Sequence, residues 1–158
     1  MNTKADALAT RLEQASRDFA STIQGLTDRD WNSTTSEEGW TVAAVAHHAA
    51  GSSGPISMMA QAAGTGAAMP ALTMDALNQM NADHAKQYAN VSRDETLALL
   101  WETTGPAAAI VRSLSDEQLN GKAVMPFGAE MTAEQIIENV LIGHLIGHGA
   151  SIMAAVPA

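Results

Sequence analysis

Leu8, Leu12, Ala15, Phe19 and Ile23 recur every three or four residues, the interval that gathers side chains on one face of an α-helix. Similar rhythms return further along, and nowhere does apolar–polar alternation run beyond four or five residues. A chain written this way buries its apolar faces helix against helix. The first helix is expected over about 3–25, closed by Gly25 and the Thr27-Asp28 pair. A second starts at Thr41 and passes Val42, Val45 and Ala49. Gly51, Gly54 and Pro55 predict that it is kinked or interrupted near Pro55 and resumes through Met58 and Met59. After the loop-like AAGTGAAMPA (62–71) a shorter helix covers about 73–89. Ser92 with Glu95 forms a capping box that opens a helix from Arg93 to about Leu114, which Pro106 should bend. Residues 115–131, with Gly121, Pro126 and Gly128, read as a linker. Thr132 with Gln135 caps a final helix to about Val156. The expected fold class is all-α: a four-helix bundle with an extra short helix or kink, in a single domain over 1–158.

Charge narrows the partners. Eight lysines and arginines oppose seventeen acidic residues, a formal charge of −9, so no basic patch large enough for several phosphates can be assembled. Nucleic acid and an anionic membrane surface are both disfavoured. With no cysteine, disulfides, thiolate metal sites and a cysteine nucleophile are excluded. The N-terminal residues lack the apolar core of a signal peptide, and no stretch reaches about 18 uninterrupted apolar residues. A cytoplasmic location is the expectation.

The chemistry-bearing residues are histidines. His144 and His148 stand four apart, in HLIGH, on an inward stripe that reads Ile137, Val140, Leu141, His144, Leu145, His148 and Ile152. Two rings on adjacent turns of one face can reach the same ion. The zinc peptidase pattern needs glutamate beside the first histidine, and Leu145 occupies that place. A third ligand must come from another helix. Val42 and Val45 define a row that continues to His48, whereas His47 is turned about 100° away, so His48 is placed inside and His47 near the rim. The plain alternative is a set of core histidines satisfied by backbone carbonyls, and spacing alone leaves both readings standing. His84 lacks a partner at ligand spacing and lies on a polar helix, so it is expected to face solvent.

The stretch GWTVAAVAHHAAG (39–51), with LTDRDWNSTTSEEGW before it, resembles a segment of the DinB/YfiT-like superfamily, which includes the N-terminal domain of mycothiol-dependent maleylpyruvate isomerases. In that family a histidine eight residues after the tryptophan is a metal ligand, and counting from Trp40 reaches His48. The family's other two ligands come from the last helix, where His144 and His148 match. Maleylpyruvate isomerases often carry glutamate at the first of those two positions; histidine here resembles the broader DinB-like arrangement. The resemblance covers essentially the whole chain. It implies an up-down-down-up bundle, often dimeric, with a metal at one end of the core.

By the same resemblance the activity expected is that of a metal-dependent S-transferase or isomerase using a low-molecular-weight thiol of the mycothiol, bacillithiol or glutathione type. Its partners would be the thiol and a small-molecule electrophile, in a homodimer. The metal would be zinc by default, with nickel, copper or iron compatible with three imidazoles. A thiol beside the ion would ionise more readily than its reference pKa near 8.5 allows, which lets a chain without cysteine perform sulfur chemistry. The alternatives are a metal-dependent hydrolase and a bundle that binds metal or ligand without turnover. No carboxylate is assigned as general base: Glu134, Glu138 and Glu102 are given no catalytic role. Ser52 is read as a local cap. Met58, Met59, Met69, Met74 and Met80 are read as core before pocket, and Trp31 and Trp40 as pins for the loop over the bundle end.

Overall fold

The computed structural model describes residues 3–157. Four long helical elements form the body: α1 (Thr3–Gln24), α3 (Val42–Thr65), α5 (Arg93–Ser113) and a terminal helix in three pieces. Those pieces are α7 (Ala133–Gln135), a π-helical segment (Ile136–Ile142) and α8 (Gly143–Ala155). Shorter helices lie between them: α2 (Asp28–Trp31), α4 (Met74–Gln87) and α6 (Asp116–Leu119).

Contacts along the elements give the topology. Arg112 near the end of α5 pairs with Glu13 in the first half of α1, and Arg93 at the start of α5 reaches the Leu26 carbonyl beyond its end. These two helices are therefore antiparallel. Thr41 at the head of α3 donates to the Ala89 carbonyl just before α5, and the Thr103 hydroxyl bonds Ala50 midway, so α3 and α5 run parallel. Lys4 pairs with Glu134 and Arg11 with Glu138, which sets the terminal helix parallel to α1. The result is the up-down-down-up bundle, with buried stripes from all four elements meeting in one core.

Most helix starts follow their caps. Thr27, Ser92, Ser115 and Thr132 each form a reciprocal capping box with the third residue beyond, and Thr41 and Thr73 accept from the amide three residues on. Each such cap satisfies amides the helix cannot, and contributes about 1 kcal/mol.

Several expectations are corrected. The α3 helix continues through Pro55 without interruption. Pro55 is exposed, where its ring meets solvent, and the hydroxyls of Ser52 and Ser57 bond the His48 and Gly54 carbonyls on either side. Pro106, by contrast, lies inside a single helix where the sequence placed it. The linker holds α6 and a small antiparallel hairpin, β1 (Lys122–Val124) with β2 (Glu130–Thr132), in the register Ala123 opposite Met131. Strands of three residues are too short to show as alternation. The terminal helix is not uniformly α-helical: in its π segment the buried residues Ile136, Ile137, Leu141 and Ile142 repeat at five, as a helix with i→i+5 bonding requires, and the Gly143 amide donates to the Glu138 carbonyl.

Residues Ala133–Ala155 are long and apolar enough to cross a membrane by length and composition, with a mean hydropathy of 1.3. Their apolar stripe is committed to the bundle, with Ile136, Ile137, Leu141, Leu145 and Ile152 all buried.

Candidate metal centre

Two helices and one loop build the site. On α3, Thr41 fixes the first turn and the helical phase then carries His48 inward. His144 and His148 arrive from α8 on the same side. Each of the three rings offers one nitrogen, and those atoms lie within 4.8 Å of one another. The Nε2 atoms of His48 and His144 are 3.0 Å apart, close to the separation of about 3 Å expected between ligands that share a cation at about 2.0–2.1 Å. Two lone pairs at that distance repel unless a proton or a cation lies between them.

Burial sets the charge of the rings. Desolvation, followed by the neighbouring His148, pushes His48 down to about 4; the same causes, with His48 added, push His144 down to about 3. Both rings are therefore neutral at pH 7, the protonation state in which imidazole ligates a metal.

The loop between α2 and α3 supplies a residue to which the sequence reading gave no role. Glu38 Oε1 lies 2.9 Å from His148 Nδ1, and the Ser151 hydroxyl donates to Oε2 at 2.6 Å. Burial pushes this carboxyl upward, but hydrogen bonds from Ser151, Thr35 and His148 outweigh it and hold Glu38 below its ordinary value. An ionised carboxylate only accepts, so His148 carries its proton on Nδ1 and turns the lone pair of Nε2 away from Glu38. A carboxylate behind a ligating imidazole is the usual means of fixing ring and tautomer.

The loop's own closure positions Glu38. The amide of Thr35 bonds the Trp40 carbonyl at 2.8 Å, and Gly39 bonds Thr35 at 3.1 Å. Gly39 takes φ +71, open to a residue without Cβ. This accounts physically for the glycine before Trp40. The tryptophan then packs edge-on against His48, with ring centroids 5.7 Å apart, and Trp31 is buried with its Nε1 donating to the Val91 carbonyl. Both tryptophans pin the loop, as expected.

His47 and His84 form a second pair beside the first. His47 Nδ1 and His84 Nε2 are 2.9 Å apart, and the His47 ring stacks on Tyr88 at 3.8 Å. His84 was expected to face solvent and does not: it is partly buried, contacts His48 edge-on at 5.6 Å, and its Nδ1 is buried without a hydrogen-bond partner. Burial lowers the pKa of both rings, and the neighbouring His84 lowers His47 further. The signal for this was the i, i+4 pairing of His84 with Tyr88 on the face that buries Ala85.

Glu134 and Glu138 are engaged in ion pairs with Lys4 and Arg11 away from the centre, and Glu102 is exposed. Ser52 bonds the His48 carbonyl, a local role. The methionine expectation is corrected in part: Met58, Met59 and Met80 line a cavity of ≈ 730 Å³ whose floor is His48 and His144. A smaller polar recess of ≈ 250 Å³ reaches His144 and His148 from the other side, past Glu37 and Glu38.

Among curated proteins none matches the chain. Solved structures of similar fold include the mycothiol-dependent maleylpyruvate isomerase in two forms, with TM-scores of 0.75 and 0.74 and identities of 13% and 15%. They are matched over 100% and 96% of this chain, which spans only 65% and 63% of theirs. YfiT from Bacillus subtilis, described as a probable metal-dependent hydrolase with an unusual four-helix bundle topology, gives a TM-score of 0.77 at 23% identity, covering 98% of this chain and 87% of that one. An uncharacterised protein from Clostridium difficile 630 gives 0.73 at 13%, covering 98% and 96%. The family described as "Mycothiol maleylpyruvate isomerase N-terminal domain" matches residues 12–151. The chain belongs to that family.

Proposed function

We propose that His48, His144 and His148 hold a divalent cation, zinc by default, and that the chain uses it to join a low-molecular-weight thiol to a small electrophile, as an S-transferase or isomerase. The observation that carries this reading is the convergence of three imidazoles, two of which, His48 and His144, are kept neutral by burial and line a cavity of ≈ 730 Å³. That volume lies within the range of about 300–1,000 Å³ typical of small-molecule sites.

A bound divalent cation supplies the positive charge beside which a thiol or a water loses its proton at neutral pH. The chain's own residues do the rest. Glu38 fixes the tautomer of His148, Trp40 braces His48 from the side, and the methionine-rich wall excludes water from the reacting end of the cavity. No side chain is assigned as general base. Homodimerisation and a cytoplasmic setting belong to the same proposal.

YfiT, described as a probable metal-dependent hydrolase, shares the fold and favours hydrolysis as the second reading. Incubating the metal-loaded chain with a panel of electrophiles, with and without mycothiol, bacillithiol or glutathione, separates the two. The transferase reading expects consumption of an electrophile only when a thiol is present. Turnover that survives removal of every thiol supports the hydrolase, and metal binding with no turnover supports a binding module.

A further inference from the structure

Of the buried side-chain nitrogens and oxygens among the described residues, one has no hydrogen-bond partner: Nδ1 of His84. Leaving such a group unpaired costs stability, and native folds rarely do so without a use for it. The ring lines the larger cavity between α3, α4, the hairpin tip and the terminal helix, and stands 5.6 Å from His48 between ring centroids. It is not a fourth member of the group whose nitrogens lie within 4.8 Å of one another.

The opposite edge of the ring is held. His84 Nε2 lies 2.9 Å from His47 Nδ1, and Tyr88 stacks on His47 at 3.8 Å. One proton serves that contact. If His47 Nδ1 donates it, His84 carries its own proton on Nδ1 and offers a donor; if His84 Nε2 donates, Nδ1 offers a lone pair. Either tautomer leaves one hydrogen-bonding position over. The other polar groups of the wall have partners or water: His48 and His144 belong to the proposed centre, Ser52 bonds the His48 carbonyl, and Asn81 is half-buried. Met58, Met59, Leu77, Met80 and Phe127 supply apolar surface. Nδ1 is closed to solvent, so it meets a bound molecule only if α4 gives. That helix buries Ala85 alone and packs chiefly on α3.

We propose that His84 is the recognition residue of this cavity: α4 shifts against α3 and brings Nδ1 to an oxygen or nitrogen atom of an otherwise apolar molecule. Making that contact removes the cost of the unpaired atom, so binding itself favours the shift. The proposal takes the cavity to be the electrophile site and so rests on the function proposed above, but the contact requires no metal.

The probes are 4-phenylbutan-2-one and the hydrocarbon in which a methylene group replaces its carbonyl oxygen. Affinities are measured by NMR titration of the chelated full chain, for wild type, His84→Asn and His84→Gln, each checked for folding by circular dichroism; metal uptake is determined in parallel. Asparagine places an amide where Nδ1 stands, and glutamine places one where Nε2 faces His47. The ketone-to-hydrocarbon affinity ratio is expected to fall about tenfold in His84→Gln, the equivalent of one hydrogen bond, and to stay within about threefold of wild type in His84→Asn. In the wild type the Nδ1 resonance of His84 should move with the ketone and not with the hydrocarbon. A ratio unchanged in His84→Gln, an equal loss in both variants, or an Nδ1 resonance indifferent to the ketone overturns the proposal, as does failure of the ketone to bind. The expected discrimination in a chain that takes up no metal leaves this assignment standing and sinks the metal-dependent reading alone.

Discussion

Glu38 touches the centre only through His148, and its contribution can be separated from that of the three histidines. Glu38→Gln keeps the shape but weakens the acceptor facing His148 Nδ1. Losing such a partner commonly costs about 10–100-fold in metal affinity. A competition titration against a chromophoric chelator should show a loss of that order with the fold retained; unchanged affinity would mean that Glu38 merely closes the loop. The histidines also make a prediction about acid. His48 and His144 titrate at about 4 and about 3 in the folded chain, below the value near 6.5 expected when unfolded. The unfolded chain therefore binds more protons across that interval. The stability of the metal-free protein is complete above about pH 6.5 and falls as pH drops towards 4, by on the order of a few kcal/mol. Urea unfolding of the chelated protein at several pH values should show this slope, and His144→Ala should flatten it. Metal should correspondingly be retained well below pH 6, lower than free imidazole would allow, because burial disfavours the competing proton. At this scale the three ring positions were legible: His144 and His148 share a face by spacing, and His48 follows Val42 and Val45 on α3. Glu38 was not, because its environment depends on loop closure, which local periodicity does not record; for His84 the spacing to Tyr88 marked a shared face, but not that α4 lays that face against α3.

The elements show the same division. Capping boxes at Ser92 and Thr132 are local chemistry and fix two helix starts from the sequence alone. The π segment is different: seven residues of it look like ordinary helix in an apolar run, and only the buried positions Ile136, Ile137, Leu141 and Ile142 betray it. Such turns often precede functional residues, and this one ends beside His144. The hairpin was illegible for its length, yet its entry is tightly built. A Cβ on Gly121 would come within 2.5 Å of the Ala63 carbonyl oxygen, and one on Gly64 within 2.8 Å of the Gln118 carbonyl oxygen. Backbone on both sides cannot yield as a side-chain tip would. Gly121→Ala should therefore destabilise the fold by about 1–3 kcal/mol, read as a lowered urea midpoint. Gly147→Ala, where an added Cβ meets nothing within 4 Å, should show no such loss.

At the level of the molecule, parallel pairing of α3 with α5 and of α1 with the terminal helix is what brings His48 opposite His144 and His148. An up-down-up-down order would reverse α5 relative to α3 and remove the close approach of their N-termini at Thr41 and Ala89. Helix count and helix faces came from periodicity, whereas the direction of each helix came from the family resemblance, since a pattern of apolar residues carries no sign for up or down. Everything functional rests on the centre that this order assembles. Its most direct test is elemental analysis of untagged wild type, His144→Ala and His47→Ala, each checked for folding by circular dichroism. The account predicts about one divalent ion per chain in the wild type and in His47→Ala, and none in His144→Ala. Wild type without stoichiometric metal, or His144→Ala that retains it, would contradict the account.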